Sequence, residues 1–255
     1  MKMKKLLAAA WILLIGYSVY TIADYWLESS SNKKAYEEIR SQFNKASANA
    51  GEEASVSTDQ ENGQPADEKV ITERFQFLLD EVNQDIVGWV QIPGTAIDYP
   101  VVQTDNNDDY LDYNIYKRPA KAGAIFMDFR NSGEAEDLHT ILYGHNMKDG
   151  SMFKELLHYK EEDFFDEFRT IQFHTLYEET EWEIFSVYVT DTDFYYIETD
   201  FPTTDDYLLF LDNIIGRSLY QSDITFSSND QLLTLTTCDY DLEDGRFVVH
   251  AKKRK

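Results

Sequence analysis

Three textures of hydrophobic and polar positions follow one another along the chain. The first is an apolar run from Leu6 to Ala23, preceded by Lys2, Lys4 and Lys5 and followed by Asp24 and Glu28. Its length approaches the ~20 residues a helix needs to cross the hydrocarbon core, and the leading lysines predict a cytoplasmic N-terminus with everything beyond residue 24 outside the cell. Thr21-Ile22-Ala23 loosely resembles a cleavage site, so a signal peptide is the competing reading, although the run is long for a signal core of ~7–15 residues. The second texture is polar, Glu28 to Ala50, with Tyr36, Ile39 and Phe43 spaced i, i+3, i+7 as in a weak amphipathic helix. It passes into Gly51 to Glu68, acidic and nearly devoid of large apolar groups, which reads as a flexible linker.

The third texture begins at KVITERFQFLLDEV, where Ile71, Phe75, Leu78, Leu79 and Val82 form one stripe of a helix. After Asp85 come short β-branched and aromatic runs broken by turn residues: IVGWVQIPGTAIDYPVV, AGAIFMDF, HTILYGH, TIQFHTL, WEIFSVYVT, ITFSSNDQLLTLTTC and RFVVHAKK. Strands at this spacing predict a sandwich or a closed barrel. Two interruptions read as helices, SMFKELLHYKEEDFFDEF and TTDDYLLFLDNIIGRSL, the second with Thr203 or Thr204 as N-cap. The expected organisation is a cytoplasmic N-terminus (1–5), a transmembrane anchor (6–23), an extracellular stalk (24–69) and one folded domain (70–255).

Composition supports a packed domain, with 43% hydrophobic and 15% aromatic residues. A net charge of −24 argues against nucleic acid as a partner. Cys238 is the only cysteine, so an intramolecular disulfide is excluded; a buried side chain, an intermolecular bridge or a reactive thiol remain.

Alternation in QLLTLTTC puts Leu233, Leu235 and Thr237 on one face and Thr234, Thr236 and Cys238 on the other. In RFVVHA it groups Arg246, Val248 and His250. A hairpin through DYDLEDG would bring Cys238 and Arg246 to the same end, and a nearby cation favours thiolate. Of five histidines, His145 stands at a strand exit before the loop NMKDGS. His250 lies four residues from Arg246, ~13 Å along a strand, and His139 six residues from His145, ~20 Å, so neither suits the same site. His158 and His174 read as core or surface residues. Each member of a Cys/His/Arg cluster also has a plain structural reading: Cys238 as core, His145 as a turn residue, Arg246 as a partner of the acidic loop. The dispersed ligands do not suit a metal, and the DNNDD run at Asp105 to Asp109 lacks EF-hand spacing and reads as a solvated turn.

TLTTC ending at Cys238, GRFVV with Arg246 and YGHNMKDGSMF around His145 resemble the sortases, and IVGWVQIPGTAIDYPVVQ with DNNDDYL and AIFMDFRN resembles their class B branch. The resemblance runs from about Phe75 to Lys252. It implies a mainly β fold with helices, an eight-stranded β-barrel with an N-terminal helical segment behind a transmembrane helix. It further implies a membrane-anchored cysteine transpeptidase of Gram-positive bacteria that needs no cofactor and no metal. The partners implied are secreted proteins with a C-terminal sorting signal, NPQTN-like or PxTG-like, and a peptidoglycan cross-bridge or stem-peptide amine. Cys238 would attack the signal's Thr carbonyl, His145 would act as acid and base, and Arg246 would stabilise the oxyanion or hold the substrate backbone in position. Asn107, Tyr110, Leu111, Thr236 and Asp239 would shape the signal groove. The alternatives are a pilin-polymerising sortase, a plain cysteine endopeptidase and a non-catalytic surface-binding domain.

Overall fold

The computed structural model describes residues 2–54 and 69–254 and divides into two compact units, Met1–Glu38 and Ile39–Lys255. Helix α1, Lys2–Ala54, is continuous where the sequence suggested an anchor followed by a separate weak helix. Within it, Ala10–Lys45 contains a stretch long and apolar enough to cross a membrane, and Ile12, Leu13 and Ile15 are exposed, as lipid-facing residues of such a helix are. Residues 55–68, most of the expected linker, lie outside the described residues.

In the larger unit, eight strands close into a barrel: β1 (Ile86–Gln91), β2 (Asp98–Val102), β3 (Ile125–Met127), β4 (His139–Tyr143), β5 (Thr170–Thr175), β6 (Glu179–Thr190), β7 (Leu232–Cys238) and β8 (Arg246–Lys253). Their order around the barrel is β1-β2-β3-β4-β7-β8-β6-β5, with β5 returning to β1. Pairs β2/β3 and β4/β7 are parallel, and the other pairs are antiparallel. Closure removes every sheet edge, which is what short strands with apolar alternation require. β5 shows the simple case, with Ile171, Phe173 and Thr175 buried and their neighbours partly exposed.

β7 differs, because it is buried on both faces up to Thr237. Leu233 and Leu235 share one face, and the opposite face is roofed by helix α5 (Thr204–Gly216) and the segment before it. There Tyr196, Tyr207, Phe210, Leu211 and Ile214 pack with Leu232 and Val248. Thr203 caps α5 in a reciprocal box, its hydroxyl accepting from the Asp206 N–H while the Asp206 carboxylate accepts from the Thr203 N–H, as its sequence suggested. Hydroxyls on the roofed face need partners, and they have them: Thr234 bonds His139 and His250, and Thr236 bonds Tyr196.

Two expectations are corrected. SMFKELLHYK is a 3-10 helix, Phe153–Lys160, with only Glu162–Glu167 (α4) as α-helix. ITFSS is not a strand; Ile224 and Phe226 alternate like one, but they pack against the α5 cluster from an extended segment without a ladder partner. DNNDD is a turn as expected, the Asn106 side-chain oxygen accepting from the Asp108 and Asp109 N–H groups ahead of α3 (Asp109–Asp112).

The end of α1 belongs to the barrel. Ile39 and Phe43 are buried, and the Phe43 ring stacks on Trp89 with centroids 4.1 Å apart and planes 5° from parallel. It also meets Phe75 of helix α2 (Glu73–Glu81) edge-on, while Arg40 pairs with Asp98 at 2.8 Å. Phe43→Ala removes this plug and is expected to destabilise the unit by about 3 kcal/mol, the low end for buried Phe→Ala. Guanidinium unfolding of the full chain in detergent micelles measures it; a change under about 1 kcal/mol would mean that Phe43 is not packed on Trp89.

Candidate active site

The barrel register brings the three chemical candidates into one row. In the parallel pair β4/β7, Tyr143 lies opposite Thr236, and the Gly144 N–H continues the ladder to the Thr236 carbonyl at 3.2 Å. Two residues further on each strand stand His145 and Cys238. The Asn146 side-chain amide donates to the Cys238 carbonyl at 2.8 Å, tying the histidine's loop to the end of β7. On the other side of β7, Cys238 is the direct cross-strand partner of Arg246. Cross-strand partners point to the same face at ~5 Å between Cβ atoms. Cys238 therefore stands between a histidine and an arginine, and all three line a cleft of about 460 Å³.

Each flanking side chain is held by backbone carbonyls. His145 Nε2 lies 2.8 Å from the Leu111 carbonyl oxygen, which can only accept, so Nε2 carries hydrogen and Nδ1 is the nitrogen able to exchange a proton. Gly123 permits this approach: its φ is +57°, and a Cβ there would lie 2.4 Å from the Tyr110 carbonyl and 3.1 Å from His145 Cδ2. The loop after His145 closes on itself, with Asn146 bridged to Met152 and the Phe153 N–H donating to the His145 carbonyl at 3.0 Å. Arg246 Nη1 donates to the carbonyls of Asp244 and Gly245 at 3.1 and 2.9 Å, and its other guanidinium nitrogens make no hydrogen bond among the described residues.

Of the five groove residues expected from the sequence, Asn107, Leu111 and Thr236 line the cleft. Tyr110 and Asp239 lie off it. The Tyr110 ring is buried, with its hydroxyl donating to Asp85 at 2.7 Å and accepting from Asn83 at 2.6 Å; burial, aided by Asp85, pushes that phenol well above its ordinary range. The Asp239 carboxylate is buried against Lys160 at 2.7 Å, anchoring the β7–β8 turn. Burial alone would lower the Lys160 ammonium, but Asp239 and Asp241 outweigh it and raise its pKa. The other histidines are elsewhere: His139 and His250 are fully buried, His158 is exposed and His174 is half-buried.

Sequence reasoning missed the opposite wall, Phe194, Tyr195, Tyr196 and Ile197, together with Phe126 and Tyr143. The signal was present in DTDFYYIETD, an aromatic run in a stretch without regular structure, where apolar rings have no strand or helix to explain them. Among the described residues no carboxylate lines the cleft, although the chain carries −24 overall.

Comparison with known proteins agrees with this architecture. The model of the family described as the Sortase domain matches residues 90–254. The chain belongs to the sortase family. Within it the chain is of the sortase B type: it is 47% identical to sortase B of Listeria monocytogenes over 68% of this chain and 72% of that protein. It is 34% identical to sortase B of Staphylococcus aureus over 99% and 98% of the two chains. The solved S. aureus sortase B–substrate complex superposes with a TM-score of 0.78 at 32% identity, covering 90% of this chain and 99% of that one. Bacillus anthracis sortase B in complex with AAEK2 gives 0.75 at 42% identity, covering 89% and 97%. The sortase is thus a transpeptidase by type, from a family that acts on proteins bearing sorting signals and whose homologues here come from Gram-positive bacteria.

Proposed function

We propose that this sortase is anchored in the membrane by α1, with Lys2, Lys4 and Lys5 on the cytoplasmic side and the barrel outside the cell. There it cleaves a C-terminal sorting signal after Thr and transfers the protein to a peptidoglycan amine. The observation that carries the reading is the row His145–Cys238–Arg246 across three adjacent strand ends, lining one cleft. The Cys238 thiol passes its proton to His145 Nδ1 and, as thiolate, attacks the Thr carbonyl carbon, and the carbonyl π electrons move to oxygen beside the Arg246 guanidinium, the cation best placed to stabilise them. As the tetrahedral intermediate collapses, His145 gives its Nδ1 proton to the departing amine, leaving a thioester on Cys238. The acceptor amine then adds to the thioester, His145 takes its proton, and the thiolate leaves as the new amide forms. The peptide bond's energy is kept in the thioester, so no nucleotide is consumed.

A lining of aromatic, aliphatic and hydroxyl groups, with Arg246 and His145 as its basic members, favours a signal without Lys or Arg in the bound segment. Both NPQTN-like and PxTG-like signals meet that condition. The test is to incubate the full chain in detergent micelles with quenched fluorescent peptides of both kinds, with and without a peptidoglycan-type amine, and to identify products by mass. Cleavage after Thr, with amide product when amine is present, is expected. Free acid as the sole product at saturating amine would make the protein an endopeptidase, and no cleavage of either peptide would overturn the proposal.

A further inference from the structure

The cleft has two walls from distant parts of the chain, and one buried carboxylate joins them. Asp128, just after β3, is fully buried. Its Oδ1 accepts from Arg130 Nε and its Oδ2 from Arg130 Nη2, each at 2.8 Å, a two-point fork. The same Oδ2 accepts from the Tyr143 hydroxyl at 2.7 Å and from the Asn107 side-chain amide at 3.1 Å. Arg130 then reaches across: Nη1 donates to the Tyr195 hydroxyl and Nη2 to the Ile197 carbonyl, both at 2.9 Å. Asn107, Tyr143, Tyr195 and Ile197 all line the cleft, and neither Asp128 nor Arg130 does.

Four of the five guanidinium N–H groups are thereby used, two on the carboxylate and two on the opposite wall, a geometry that a lysine ammonium cannot reproduce. Burial alone would raise the Asp128 carboxyl, but Arg130 and Tyr143 outweigh it and bring it down to about 2, so the pair stays ionised at neutral pH. The tether on Phe194–Ile197 is separate from the one that follows it, where His139 Nδ1 bonds the Glu198 carbonyl.

We propose that Asp128 and Arg130 are a positioning pair for transpeptidation, fixing the Phe194–Ile197 wall against Asn107 and Tyr143 and so setting how tightly the cleft grips the signal. The consequence for peptide binding rests on the function proposed above, whereas the positioning itself does not. The experiment therefore has three readouts on the full chain in detergent micelles. Amide hydrogen exchange in Arg130→Lys is expected to speed up about tenfold or more over Tyr195–Ile197, with β7 unchanged. In a Cys238→Ala background, Arg130→Lys is expected to weaken binding of a labelled NPQTN-like peptide about tenfold. Iodoacetamide labelling of Cys238, measured in Arg130→Lys alone, should change far less than peptide binding, because the β7/β8 pairing and the Asn146 amide that hold Cys238 in place are untouched.

Tyr143→Phe, which deletes one hydroxyl and no charge, is the milder companion, expected to weaken peptide binding about threefold. Unchanged exchange over Tyr195–Ile197 in Arg130→Lys would overturn the positioning role, and so would faster exchange that spreads equally through β7. If the parent Cys238→Ala protein binds neither signal peptide, the functional reading fails while hydrogen exchange still decides the pair's role.

Discussion

Cys238→Ala is expected to leave no detectable cleavage or transfer, because no other thiol exists in the chain to carry the acyl group. His145→Ala should lower the rate by about 10³–10⁴, the upper range for loss of a positioned acid and base. Arg246→Ala should lower it by about 10²–10³, the range for removing one donor to a developing oxyanion. The effects should not add, since the thioester step needs all three at once. Arg246→Lys should recover little, because Nη1 is already committed to the Asp244 and Gly245 carbonyls and the remaining fork does the rest. Single-turnover peptide assays, with product masses, measure these losses. Thermal melts of each variant separate them from unfolding, and the partial exposure of all three side chains argues against unfolding as the source of loss. Full activity in His145→Ala would remove the acid–base role and with it the proposed mechanism.

Much of that row was legible before any fold was known. Period-two alternation put Cys238 and Arg246 on shared faces, and DYDLEDG between them marks a hairpin turn; the β7/β8 register follows from both. His145 was legible only as a strand exit. Nothing local says that β4 runs parallel to β7, so its arrival beside Cys238 depends on a pairing across more than ninety residues. The second wall was out of reach for the same reason. Arg130 meets Tyr195 and Ile197 across 65 and 67 positions, and no periodicity records such a contact. Tyr110 shows the opposite failure. Its place in the DNNDDYL motif suggested the groove, but α3 turns the ring inward, where its hydroxyl satisfies Asp85 and Asn83. Ile224 and Phe226 alternate as a strand would, because packing one face onto α5 imposes the same period as joining a ladder.

Acid should unfold this protein earlier than its carboxylates alone would. His139 and His250 sit fully buried at the centre of one hydrogen-bond chain, and its directions are forced by its ends. The Glu198 carbonyl only accepts, so His139 Nδ1 carries hydrogen and Nε2 accepts from the Thr234 hydroxyl at 2.6 Å. The Thr234 oxygen then accepts from His250 Nδ1 at 2.6 Å, and His250 Nε2 accepts from the Tyr188 hydroxyl at 2.8 Å. Both rings are neutral in this arrangement, and a further proton on either would break a bond. Burial, opposed by the Glu198 carbonyl, lowers His139 to about 4, and burial followed by the nearness of His139 holds His250 well below the ordinary histidine range. Between pH 6.5 and about 4 the unfolded chain therefore binds protons that the folded chain refuses. Stability rises with pH across that window and is lost on acidification, by about 1.4 kcal/mol per unit for each histidine once below 6.5. From pH 7 to pH 5 His139 alone removes about 2 kcal/mol, and His250 adds to the loss in the same direction. Asp128 and Asp230, both lowered to about 2, act only below pH ~4 and do not blur the window. Thermal midpoints of the full chain measured from pH 7.5 to 4.5 should stay level to about pH 6.5 and fall below it, and His250→Gln, which keeps polar atoms at the site without a titrating ring, should make the fall shallower. A midpoint that stays level down to pH 5 would mean that these two rings titrate as exposed histidines do.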